Sequence, residues 1–192
     1  MRDPQRPGCY RLALAAVGCA LLASSPGQGA QQRVAGFIDP LPVARLKQLF
    51  PAAAAFAPRG TADPLYFSAF DADPATPRAR AIGYAFWTTD LVPEQLGYHG
   101  HIHMLIGMDT AGRLTGVIVD RHTEPYGDFS VEPPAFGAQF KGKSIRDRFE
   151  VGADVDAVSR ATITVRAAAR EIRDSARIVA RAVLVPAAVD RK

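Results

Sequence analysis

The sequence predicts an α+β domain, built from an antiparallel sheet with a long C-terminal amphipathic helix packed on it. Three strand-like runs lie in the middle of the 192-residue chain, at 81–89, 101–108 and 114–121, and the turn sequence Asp-Thr-Ala-Gly at 109–112 joins the last two. A helical period begins near Thr162. Because the strands are segregated from the helix that follows them, the pattern favours an α+β fold.

The elements before and between these runs are shorter. Pro42 and Pro51 bracket residues 43–50, which predicts a short helix. Composition then predicts, in order, a loop at 51–60, a strand at 65–70, a loop at 71–78 and a Pro- and Gly-rich loop at 125–143. The middle strands are therefore expected to form an antiparallel meander.

The final helix has two distinct faces. Its apolar stripe, which we expect to lie on the sheet, contains Val165, Ala168, Ala169, Ile172, Ala176, Val179 and Val183. Another stripe contains Arg166, Arg170, Arg173, Arg177 and Arg181. We interpret the arginines as a solvated outer face with Glu171 and Asp174 as local counter-charges, and the alternative is a surface that docks an acidic partner.

The first 30 residues are typical of an export signal. Three arginines precede the apolar run 12–23, and small residues follow it up to Ala30. The run is shorter than the ~20 residues that span a bilayer, so we expect cleavage near Ala30 and a periplasmic product. A lipid anchor at Cys19 is the less favoured alternative, because the apolar run continues beyond it and Leu is missing three residues before it. The remainder, 31–192, has the size and composition of one globular domain.

Composition excludes several function classes. Both cysteines, Cys9 and Cys19, lie in the expected signal, so the mature domain has no disulfide, thiolate metal site, iron–sulfur cluster or c-type haem. The net charge is +4 for the chain and +2 after the first 30 residues, which hold three Arg and one Asp, so no nucleic-acid partner is expected. Any redox role would need an organic cofactor or a metal site made of His and carboxylates.

A seven-residue run, Asp156-Ala-Val-Ser-Arg-Ala-Thr162, ends where the long helix begins. A hydroxyl at this point lies beside backbone N–H groups without intrahelical partners and near the positive end of the helix dipole, so a phosphate attached to it would be stabilised. The simpler alternative is that Thr162 only caps the helix. Thr164 also lies at the helix start and is the competing hydroxyl.

The run resembles the flavinylation motif D-x-x-(S/T)-(G/x)-A-T of the FMN-binding domains found in Na⁺-translocating NADH:quinone reductases, Rnf complexes and the NosR/NirI proteins. Similarity to the NosR/NirI group extends over residues 43–184 and includes, in order, Ile-Gly-Tyr-Ala-Phe at 82–86, Gly-Tyr-His-Gly at 97–100, the hairpin from Ile106 to Gly116 and His-Thr-Glu-Pro at 122–125. The resemblance implies an FMN-binding domain at 31–192. It also implies FMN attached covalently to Thr162 by an ApbE-type flavin transferase, which takes FAD as donor.

The resemblance also implies roles for individual residues. Asp156 and Ser159 would be recognised or positioned by the transferase, and Ala161 completes the Ala-Thr pair that favours Thr162 over Thr164. His122 and Glu124, from the His-x-Glu-Pro signature, would lie near the flavin. Arg160 departs from the Gly that is frequent in related motifs; it would either obstruct the transferase or, as we prefer, pair with the flavin phosphate.

The implied function is electron transfer rather than stand-alone catalysis. NosR-type proteins continue into transmembrane helices and a ferredoxin-like region, so an unidentified membrane or periplasmic redox partner is expected here. Two alternatives stay open. His99, His101 and His103 alternate along the chain, and with His122 and Glu124 they suggest a metal-binding exported protein. The other alternative is a non-redox regulatory or assembly factor of a NosR-like system.

Overall fold

The computed structural model describes residues 41–184, so the expected signal at 1–30 lies outside the described residues. The elements are, in chain order, α1 Val43–Leu49, β1 Ala55–Ala57, β2 Phe67–Phe70, β3 Ala81–Trp87, α2 Thr88–Leu91, β4 His103–Asp109, β5 Leu114–Arg121, α3 Gly127–Ser130, α4 Pro134–Ala138 and α5 Thr162–Val183. This arrangement confirms the predicted α+β fold with its long C-terminal helix.

The five strands form one sheet in the order β1-β2-β3-β4-β5, and every neighbouring pair is antiparallel. Strand β4 is central to the predicted meander: Leu105 pairs with Trp87 of β3 on one side and with Ile118 of β5 on the other. The predicted meander is therefore confirmed, and it extends by β2 and β1 on the side of β3.

Each face of the sheet is covered by a helix. On β4, Met104 and Ile106 point to the same face and belong to the core that contains Ile172 of α5, whereas Leu105 belongs to a second core with Leu46 of α1. Covering on both faces explains why β4 is an apolar run rather than an alternation of apolar and polar residues.

Two sequence-based expectations fail in the loops. Strand β1 lies inside the segment 51–60, and helices α3 and α4 lie inside 125–143. These elements are only three to five residues long, so their sequences contain less than two periods of any pattern. Strand β4 also begins at His103, two residues after the start of the predicted run.

Helix α5 begins at Thr162, as predicted, and its apolar stripe is buried from Val165 to Val179 and partly buried at Val183. The interpretation of Glu171 as a surface counter-charge is wrong, because its side chain is only 2% exposed. Asp174 does pair with Arg173, at 2.8 Å. Among residues 41–184, no helix has the length and apolarity needed to cross a membrane.

Candidate functional site

Thr162 is the first residue of α5 and its side chain is partly exposed. The N-cap position belongs to Ala161, and no side chain caps the helix, so Thr162 does not act as the cap. The first helical hydrogen bond runs from the N–H of Val165 to the carbonyl of Ala161, at 3.0 Å. The Thr162 hydroxyl makes no hydrogen bond with residues 41–184.

The competing hydroxyl, that of Thr164, differs from that of Thr162 in being buried and hydrogen-bonded. Its residue is 3% exposed, and the hydroxyl donates a hydrogen bond to the carboxylate of Glu124. Modification of Thr164 would break this contact and require the side chain to leave the core. Within the first helical turn, the accessible hydroxyl without a partner in the described chain is therefore that of Thr162.

Glu124 connects three segments of the chain at the start of α5. Besides the Thr164 hydroxyl, its carboxylate accepts hydrogen bonds from the backbone N–H groups of Tyr98, at 2.9 Å, and His99, at 2.8 Å. Burial by itself raises the pKa of Glu124, but the hydrogen bonds from Thr164, His99 and Tyr98 lower it below its usual range on balance. Glu124 is therefore an ionised acceptor at neutral pH.

Gly97 allows this carboxylate to approach the turn at 97–100. A Cβ atom on Gly97 would lie 2.4 Å from Oε1 of Glu124, so any other residue would displace the carboxylate. The turn is closed by a hydrogen bond of 2.7 Å from the N–H of Gly97 to the carbonyl of Gly100. The close contact gives a physical reason for glycine in the Gly-Tyr-His-Gly turn.

His122 holds the chain on the other side of Glu124. Its Nδ1 accepts a hydrogen bond of 3.1 Å from the N–H of Glu124, and its Nε2 lies 2.9 Å from Oε1 of Glu132. These contacts assign the proton of the neutral ring to Nε2, because Nδ1 must accept. Both ring nitrogens are thus occupied, and the ring packs so closely on Gly127 that a Cβ there would lie 1.9 Å from it.

The loop before α5 presents most of the remaining predicted residues to solvent. Asp156, Ser159 and Arg160 are exposed, and Ala161 is buried. The side chains of these three exposed residues make no hydrogen bond or ion pair with the described part of the chain. Arg160 has a φ of 68°, in the left-handed region that glycine adopts most easily. A residue with a Cβ is therefore strained at this position.

A groove of about 350 Å³ runs along the outer side of α5. Its lining residues are Arg148, Phe149, Glu150, Val151, Arg166, Arg170 and Arg173. Arg177 fixes one wall, because its guanidinium donates to the carbonyls of Ile145, at 2.9 Å, and Asp147, at 3.0 Å. We call this feature the arginine groove. Sequence reasoning found its helical arginines but missed Arg148, which comes from the loop.

The histidines do not converge. His99 and His101 are exposed, and His101 precedes the strand, so strand alternation does not apply to it. His103 stacks on Trp87 with ring centroids 4.2 Å apart, and its Nδ1 lies 2.6 Å from the Thr89 hydroxyl. Burial, followed by the charge of Arg121, lowers the pKa of His103. In the part of the chain that the structure describes, no group of three or more His, Cys, Asp or Glu residues could hold a metal ion.

Glu171 is a buried acid that sequence reasoning placed on the surface. Its Oε1 has no hydrogen-bond partner among the described residues. Burial raises the pKa of Glu171 to about 8; the charge of Arg170 acts in the opposite direction and that of Glu124 adds to the increase. Glu171 is therefore mostly neutral at pH 7. Its position three residues after Ala168, a member of the predicted apolar stripe, is the sequence signal that could have indicated burial.

Residues 97–176 match the model of a family described as FMN-binding domain. The matched segment begins at the Gly-Tyr-His-Gly turn and contains His122, Glu124, the run from Asp156 to Thr162 and most of α5. It therefore includes Glu124 and the three residues that donate hydrogen bonds to its carboxylate, Tyr98, His99 and Thr164. A search of curated proteins found no relative that matches the chain.

Proposed function

We propose that this protein carries FMN covalently on Thr162 and works in electron transfer, because residues 97–176 match the model of the FMN-binding domain family. The attachment would be a phosphoester between the Thr162 hydroxyl and the phosphate of FMN. The bound flavin would supply the redox chemistry, and the chain would hold and orient it.

The observation that carries the proposal is the contrast between the two threonines of the first helical turn. Thr164 is buried and donates its hydroxyl to Glu124, whereas Thr162 is partly exposed and its hydroxyl has no partner in the described chain. A transferase that must bring a phosphorus atom to a hydroxyl can therefore reach that of Thr162 but not that of Thr164.

The surroundings of Thr162 suit a phosphate. The N–H groups of residues 162–164 make no hydrogen bond with the described residues and lie at the positive end of a 22-residue helix. Arg166 lies one helical turn further along, and the exposed Arg160 lies two residues before Thr162. Guanidinium groups bind phosphate oxygens through paired N–H donors, so Arg160 is compatible with the modified site.

The modification would need a flavin transferase of the ApbE type with FAD as donor. The Thr162 oxygen would form a bond to the phosphorus of the FMN half, the bond from that phosphorus to the AMP half would break, AMP would leave, and the hydroxyl proton would pass to a base of the transferase. Asp156 and Ser159 are exposed beside the acceptor, which leaves them free to be recognised.

The location and partners follow from other features. The arginines and the apolar run of residues 1–30 support export to the periplasm, and the resemblance to NosR/NirI proteins supports a membrane or periplasmic redox partner. We propose this setting together with the covalent flavin.

The test is the mass of the protein after co-expression with an ApbE-type transferase in an exporting host. The expected product gains the mass of FMN minus water on the peptide that contains Thr162. Thr162→Ala should remove the increment, and Thr162→Ser, which keeps a hydroxyl, should retain part of it. An increment that persists in Thr162→Ala would refute attachment at this residue. A product that never gains flavin would instead favour the regulatory or assembly role.

A further inference from the structure

We infer that the arginine groove binds the isoalloxazine ring of the flavin attached to Thr162 and stabilises the negative charge that the ring acquires on reduction. The inference rests on the proposed function, since it assumes a flavin on Thr162. It adds a location for the ring and a role for Arg148, Arg166 and Arg170.

The position of the groove relative to Thr162 supports this location. Arg166, Arg170 and Arg173 follow Thr162 by 4, 8 and 11 residues, so they lie on one side of α5 with it. At a rise of about 1.5 Å per residue they extend from roughly 6 to roughly 17 Å beyond the attachment point. A phosphate on Thr162 would lie at one end of the groove, and the ribityl chain would lead the ring along it.

The charge of the groove is not neutralised by its surroundings. Its lining contains four arginines and one acid, Glu150. Arg148 and Arg166 make no hydrogen bond or ion pair with the described residues, whereas Arg173 contacts Asp174. Glu171, whose charge would act on Arg170, is mostly neutral at pH 7, because burial raises its pKa to about 8. The groove therefore has an excess of positive charge.

Reduction of a flavin creates the complementary charge. The oxidised ring accepts two electrons from an external reductant and one proton from solvent, and the resulting ring carries one negative charge. Guanidinium groups also stack on flat aromatic rings, so both the ring face and its charge suit arginine. Removing one of these cations makes reduction less favourable, and the midpoint potential becomes more negative.

The experiment uses flavin-bearing wild type, Arg166→Gln, Arg170→Gln and the double variant, with Arg181→Gln as the matched control. Arg181 belongs to the same stripe but does not line the groove. Midpoint potentials would be measured by dithionite titration followed by absorbance, which reports only molecules that carry flavin. A second measurement is quenching of flavin fluorescence by iodide.

We expect each groove substitution to lower the equilibrium constant for reduction about tenfold, which is about 30 mV for a two-electron couple. The double variant should change by more than either single variant, and its ring should become more accessible to iodide. Arg181→Gln should match the wild type. Flavin on Thr162 with the same potential and quenching in all variants would overturn the groove assignment and leave the proposed function intact. Absence of flavin from wild-type protein would overturn both.

Discussion

Replacing Glu171 by glutamine should stabilise the protein, and the gain should grow with pH. Glu171 is 2% exposed, and its pKa is raised to about 8 from 4.5, first by burial and then by the charge of Glu124, against the opposing charge of Arg170. The folded state therefore keeps a proton that the unfolded state loses. Glutamine has a similar shape and never carries the charge that burial penalises.

The magnitude follows from linkage. Between about pH 4.5 and about pH 8 the folded state binds more protons than the unfolded state, so wild-type stability falls as pH rises. At 1.36 kcal/mol for each pKa unit, the wild-type unfolding free energy is lower than at acidic pH, where Glu171 is protonated in both states, by about 1 kcal/mol at pH 5 and by about 3 kcal/mol at pH 7. The difference in unfolding free energy between Glu171→Gln and wild type should rise by that amount.

Urea unfolding of both proteins across this pH range measures the difference directly. Glu150→Gln, which removes an exposed carboxyl from the loop facing α5, is the matched control for the loss of a carboxyl group. A difference between Glu171→Gln and wild type that is constant from about pH 5 to about pH 8 would contradict the buried, neutral state of Glu171.

Two further predictions concern the backbone near Thr162. Arg160→Gly should have an unfolding free energy about 0.5–1 kcal/mol higher than Arg160→Ala. A φ of 68° costs residues with a Cβ about 1–2 kcal/mol, and the greater freedom of glycine in the unfolded chain offsets part of this difference. Equal stability of the two variants in urea would show that this strain is absent. Gly97→Ala should lower stability by about 1–3 kcal/mol, since its Cβ would lie 2.4 Å from Oε1 of Glu124, whose carboxylate accepts three hydrogen bonds through its two oxygens. Gly60→Ala is the control and should change thermal unfolding little, because its Cβ would meet only the backbone N of Ala62, at 4.0 Å.

Local pattern was sufficient to predict the long elements of the fold. Strand β5 occupies 114–121, as predicted, because its residues have strong strand preferences and a turn precedes it. Helix α5 begins at Thr162, three residues before the first member of its apolar stripe, Val165, and this stripe is buried against the sheet. By contrast, β1 is three residues long and exists through its pairing with β2, so no local signal could identify it.

The details of the site depend on contacts between distant parts of the chain. The sequence favoured Thr162 over Thr164 only by resemblance, and the contact that separates them comes from Glu124, 40 residues earlier. Arg148 lines the arginine groove from a loop, and the Arg177 side chain donates hydrogen bonds to backbone carbonyls of that loop. Glu171 was misplaced because charged residues are seldom buried without a partner, which is the usual and here incorrect expectation.

Two buried carboxyl groups, one beside the first turn of α5 and one in the middle of the helix, differ in their charge. Glu124 keeps its charge because three donors compensate for its burial, whereas Glu171 has no donor on Oε1 and lies in the field of Glu124. Burial is the largest cause of the raised pKa of Glu171 and the charge of Glu124 adds to it, so Glu124 ionises and Glu171 stays mostly neutral at pH 7. The ionised group holds the Thr164 hydroxyl and leaves that of Thr162 available. The neutral group does not offset the charge of Arg170 in the groove. The same pair of acids therefore affects both the hydroxyl that we propose as the acceptor for FMN and the electrostatic field of the groove that we propose for its ring.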